Sequence, residues 1–283
     1  MAFKTILVNL NHEERVTAVV AAATHIARMT EAHVIGLYVM PPLFMPSDVV
    51  LPMGADFYEQ QIVAHKAQAL RIKANFEHLT QGEPFVAEWL AYGEVRSAYE
   101  SIADGVVAQS RAAELVVVSQ AGDGAAPPML SDVAERVALE SGRPMLVVPN
   151  QWDGRRFGAT ISVAWTNSRE AARATFDALP LMLHAKKVRL VTVGGDRDNE
   201  TVPTIPAADV AATLARHGIN VETTTIGDGG RHAGMTVLEH CATDGTDLLV
   251  MGAYGHSRMR ELILGGVTRH VLKHATLPVL MSH

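Results

Sequence analysis

Thr5-Ile-Leu-Val-Asn-Leu10 is a short apolar run, and 155 residues later it returns as Thr160-Ile-Ser-Val-Ala-Trp165. Such runs read as buried strands. Behind the first, Val16, Val19, Val20, Ala23, Ile26 and Ala27 recur at the spacing of one helical face. At the same offset behind the second stand Ala171, Ala174, Thr175, Ala178, Leu181 and Met182. Two matching stripes in register mark an internal repeat of a strand–helix unit.

The correspondence extends outward from there. His33–Val39 pairs with Lys187–Val193 as a second strand, and 85–90 pairs with 220–226 as a third. Leu115–Ser119 pairs with Leu248–Gly252 as a fourth, and 144–148 with 278–282 as a fifth. The second copy is shorter, and much of the difference lies in a Pro- and Met-rich loop over 41–60. Strands that are apolar on both faces and separated by helices predict an α/β fold with parallel sheets. Right-handed crossovers then wind each copy into a doubly wound sheet of five strands. The polar stretch 151–157 reads as the linker, giving a first domain over 1–151 and a second over 152–283.

Composition narrows the function. The 283 residues are 48% hydrophobic and 19% charged, the balance of a folded globular chain. A net charge of −6 and 5% aromatics speak against a duplex-binding surface and against stacking platforms for single strands. The single cysteine, Cys241, forms no internal disulfide. The first residues carry no signal-peptide pattern, and no apolar run approaches the ~18 residues of a spanning helix. The expectation is a cytosolic protein.

Open parallel sheets bind ligands at the carboxyl ends of their strands, where the winding direction reverses. The loop after the fourth strand of the second copy reads Gly252-Ala-Tyr-Gly255-His-Ser-Arg-Met-Arg-Glu-Leu-Ile-Leu-Gly265-Gly266-Val-Thr268. Glycines let backbone amides turn toward an anion, and a helix opening at Gly266 would offer free amides to a phosphate. Glycine spacing alone equally fits tight turns and close helix packing.

The pattern Gly252-x2-Gly255-x9-Gly265, followed by Gly266-Val267-Thr268, resembles the nucleotide-binding motif of the universal stress proteins. The duplicated five-strand plan and the Pro278-Val-Leu280 ending resemble their tandem members. The resemblance implies a strand order of 3-2-1-4-5 in each domain and an adenine nucleotide, ATP with or without magnesium, bound by the second. It places Ala164, Trp165 and Thr166 in the loop after the first strand and Val193 against the adenine. It places Met251, Gly252 and Gly255 on the ribose and phosphate side, and Gly265, Gly266, Val267 and Thr268 on the phosphates. In the family's ATP binders an Asp stands at the position of Thr166, and a Ser or Thr at that of Gly266. Thr166 retains a hydroxyl, whereas Gly266 keeps only its backbone donor.

The first copy differs. Ser131 and Asp132 face the positions of Gly265 and Gly266, with Asp132 a candidate helix cap, and Asn11 takes the family's Asp position. A degenerate first domain follows, packed on the second as an internal pseudo-dimer, through the fifth strands, with a homodimer as a further option. Among other candidates, His270 and His274 share a helical face, but helix-end histidines suit the dipole better than a metal. His240 and Cys241 read as helix surface and core. His256-Ser257-Arg258 lacks a placed acidic partner for catalysis. Arg258 and Arg260 read as loop cations near phosphate or as exposed charges, and Tyr254 equally as a residue that stacks or hydrogen-bonds near the nucleotide or as a simple loop aromatic. The apolar stretch 41–53 reads as a cover over a first-domain cavity or as a subunit contact. The resemblance therefore points to a stress-response binding factor with little or no catalysis. A protein holding an apolar ligand under that loop is the alternative, and a weak ATPase the third reading.

Overall fold

Each buried run of the sequence forms a strand, and the two apolar stripes lie against the sheet those strands build. The structure, a computed structural model, describes residues 2–43, 55–93, 101–121, 132–194, 205–227, 229–254 and 266–283. The first half runs β1 (Thr5–Asn9), α1 (Val16–Thr30), β2 (His33–Val39), α2 (Ala55–Thr80), β3 (Ala87–Tyr92), α3 (Ile102–Ser110), β4 (Leu115–Ser119), α4 (Val133–Glu140) and β5 (Met145–Val148). The second half runs β6 (Thr160–Ala164), α5 (Arg169–Asp177), α6 (Leu179–Met182), β7 (Lys187–Val193), α7 (Ala207–Ala215), β8 (Val221–Ile226), α8 (Ala233–Thr243), β9 (Leu248–Gly252), α9 (Gly266–His274) and β10 (Val279–Ser282).

The strands form one sheet in the order β3-β2-β1-β4-β5-β10-β9-β6-β7-β8. Each half thus has the order 3-2-1-4-5 and is parallel throughout. The halves meet where β5 and β10 pair antiparallel, with Leu146 opposite Leu280. Successive residues of a strand face opposite sides of the sheet. Ile6 and Val8 accordingly join a core under α1, α2, α5, α6 and α7, while Leu7 joins a core under α3, α4, α8 and α9. Both cores draw residues from both halves.

All twelve stripe residues are buried. The second stripe is broken between α5 and α6, because Pro180 has no N–H to continue the helical ladder. Two boundaries differ from expectation by more than one residue. The third strand, expected over 85–90, forms at Ala87–Tyr92: Val86 is 65% exposed and contributes only its carbonyl, to Val34 N–H. The expected loop over 41–60 is already helical from Ala55, past the last proline and glycine of the stretch. Residues 44–54, most of the apolar stretch, lie outside the described residues. Asp132 stands at the N-cap of α4, but its side chain makes no capping bond. Among the described residues, no helix is long and apolar enough to cross a membrane.

Candidate functional site

The carboxyl edge of the second half is where the sequence places a ligand. Ala164 lies beside Met251 across the β6–β9 pair, and Val193 ends the next strand, β7. Ala164, Val193, Met251 and, from α9, Val267 all pack on the α8 and α9 side of the sheet. Trp165 is different: its N–H donates to the Val191 carbonyl (2.8 Å), and its indole is buried in the opposite core. Thr166 is exposed and donates to Ser168 Oγ (3.2 Å). Ser168 in turn caps α5 by accepting the Ala171 N–H (3.1 Å).

Gly252 has a packing reason to be glycine. A Cβ there would lie 2.6 Å from both the Glu170 carbonyl carbon and the Ala171 nitrogen, so α5 starts directly against β9. Tyr254 follows with φ +59, a left-handed conformation, and its N–H donates to Thr268 Oγ1 (3.0 Å). Thr268 is buried, so its hydroxyl ties the outgoing end of β9 to the first turn of α9. Burial pushes the Tyr254 phenol up to about 12. Gly266 opens α9 and is exposed, so the positive end of the helix dipole lies at this edge. Gly255 and Gly265, with His256, Ser257, Arg258 and Arg260, lie outside the described residues.

Sequence reasoning missed His232, which N-caps α8 and accepts the Gly234 N–H at Nδ1 (3.3 Å). Histidine is not a favoured cap, so its position in the sequence carried little signal. Its ring lies 5.2 Å from that of His270, which lies 4.5 Å from that of His274. Burial, then His274 and His232, hold His270 below the ordinary histidine value. Among the described residues, no group of three or more histidine, cysteine or acidic side chains is placed to hold a metal ion. Cys241 is buried, and desolvation pushes its thiol up to about 12, the mark of a core cysteine rather than a nucleophile.

The corresponding edge of the first half is occupied by its own side chains. Asn11 accepts the Val39 N–H (3.1 Å) and donates to the Val39 carbonyl (2.6 Å), and Asn9 donates to Asn11 Oδ1 (2.8 Å). Arg15 reaches Ser119 Oγ (3.3 Å) and the carbonyls of Pro149 and Asn150. Gln120, just beyond β4, donates to the carbonyls of Leu272 (2.9 Å) and Ala275 (3.2 Å) at the end of α9. The first half therefore holds the carboxyl end of the very helix whose amino end faces the second-half edge.

Two copies of a 3-2-1-4-5 parallel sheet, with a glycine-opened helix at the carboxyl edge of one copy, define a tandem doubly wound α/β protein. The model of the universal stress protein family matches residues 2–149 and again 159–283, and the chain belongs to that family. Universal stress protein Slr1230 of Synechocystis is 28% identical over 171 residues, covering 59% of this chain and 57% of that protein. Universal stress protein MJ0577 of Methanocaldococcus jannaschii is 40% identical over 45 residues, 16% of this chain and 28% of that protein. The chain thus spans little more than half of the first curated relative and less of the second. A universal stress protein structure from Archaeoglobus fulgidus superposes with a TM-score of 0.72 at 16% identity, covering 98% of this chain and 97% of that one. That likeness is one of fold.

Proposed function

We propose that this chain is a cytosolic stress-response binding protein that holds an adenine nucleotide, ATP first among them, at the carboxyl edge of its second domain. In this reading residues 1–151 form the first domain and 152–283 the second. The observation that carries it is the pairing of an apolar patch with the start of a helix. Ala164, Val193 and Met251 offer a base the apolar side, and the Gly266 end of α9 offers phosphates backbone donors. Thr166 brings an exposed hydroxyl that can hydrogen-bond a ribose, but no carboxylate for a metal. The first domain is the scaffold, its edge being filled by Asn11, Arg15 and Gln120. Function then lies in the bound state rather than in turnover.

The test is calorimetric titration of the full chain with ATP and magnesium. One saturable site per chain is expected, and Gly266→Asp, which sets a carboxylate at the helix start, should weaken it at least about tenfold. No saturable binding, or two equivalent sites, would overturn the reading.

A further inference from the structure

A backbone position with no side chain is normally bare, yet the space above Gly266 is filled from another helix. A Cβ built on Gly266 would lie 2.9 Å from His232 Nε2. The opposite ring nitrogen, Nδ1, accepts the Gly234 N–H, so the neutral imidazole carries its proton on Nε2. A donor therefore sits over the first residue of α9, on an exposed side chain, fixed in tautomer by the cap it makes. We propose that His232 is a phosphate-contacting residue, its Nε2–H offering a donor on the side of Gly266 where a serine or threonine would carry its hydroxyl. This rests on the nucleotide reading above and names the group that meets the phosphate.

The surroundings support a donor rather than an ion pair. From α9, His270 and behind it His274 face the ring. From its own element, the neighbouring Arg231 is committed to Glu239 (2.6 Å), and Arg269 of α9 stands 3.5 Å from Glu135 of α4. No carboxylate is paired with His232 among the described residues. Gly234 allows the arrangement, since a Cβ there would press within 3.2 Å of both His232 Nδ1 and the Val267 carbonyl. A side chain at 266 would also crowd the imidazole of His232, whose far end would have to move from its place over α9.

That crowding gives the test. Binding of ATP with magnesium, and of adenosine, would be measured for wild type, His232→Asn, Gly266→Ser and the double variant. Asparagine keeps the cap of α8 but cannot reach position 266, so His232→Asn should lose about tenfold in ATP affinity. Its adenosine affinity and thermal midpoint should not change. Gly266→Ser alone should also bind ATP more weakly, because the serine collides with the ring. The double variant should recover to within about threefold of wild type, a coupling that only a shared volume produces. If wild type binds ATP and His232→Asn binds it equally well, or loses adenosine in the same proportion, the inference falls while the nucleotide reading stands. If wild type binds no ATP, both fall.

Discussion

Single residues in this chain do work that their type conceals. Gly252 belongs to a motif that suggests close approach of a phosphate, but its missing Cβ makes room for the Glu170–Ala171 backbone. Gly252→Ala would force α5 away from β9, and overpacking of that kind costs about 1–3 kcal/mol. Chemical denaturation should show that loss, and an unchanged midpoint would show that α5 yields freely. The motif glycines were legible because glycine in a loop after a strand has few meanings. Which meaning applies was not legible, because it depends on what a neighbouring element brings up. Gly252 meets a backbone, whereas Gly266 meets the ring of His232, 34 positions earlier in the chain. No local pattern announces that second contact.

Elements were read well where both faces are buried and less well at edges. The inner strands β1, β4, β6 and β9 appear where their apolar runs place them. β3 is an edge strand with no fully buried residue, so hydrophobicity marks its limits poorly and it starts and ends two residues later than the run 85–90 suggests. Helix α9 shows how an element is held from outside its own domain. Its last carbonyls are satisfied by Gln120, which also accepts the Asn150 N–H (2.8 Å). Gln120→Ala leaves those buried groups unpaired, at a cost of about 1–3 kcal/mol. Hydrogen exchange should quicken in the last turn of α9 and across the β5 end. Protection equal to wild type would mean that water replaces the side chain without penalty.

At the scale of the molecule, the two cores run through the β5–β10 seam, so neither half has a core of its own to keep when the other opens. A single calorimetric transition is therefore expected, and two resolved transitions would contradict the continuity of the cores. The same experiment carries a pH dependence. Burial is the main reason that His12, His25, His65 and His270 lie below the ordinary value of 6.5. The unfolded chain thus binds protons more readily than the folded one. The stability this gives is complete above about pH 6.5 and is lost as pH falls through the window below it. The midpoint at pH 5.5 should lie below that at 7.5. The paired carboxylates, with Asp104 held near about 2 by Arg136, add their loss only at lower pH. The repeat was legible because it recurs twice in one chain, and the strand order followed from the resemblance to the family; nothing local singles out the seam, since the apolar strands flanking it look like every other buried strand. Its covalent form has a further consequence. In a pair of identical chains, any residue that grips the partner's helix must appear on both sides, and so must stand at both ligand edges. Here Gln120 and its structural counterpart Ala253 make equivalent ladder bonds, to Val148 and Ser282, yet only Gln120 carries a gripping side chain. Joining two copies into one polypeptide frees each position to specialise alone, so that anchoring and recognition are divided between halves instead of being compromised within each.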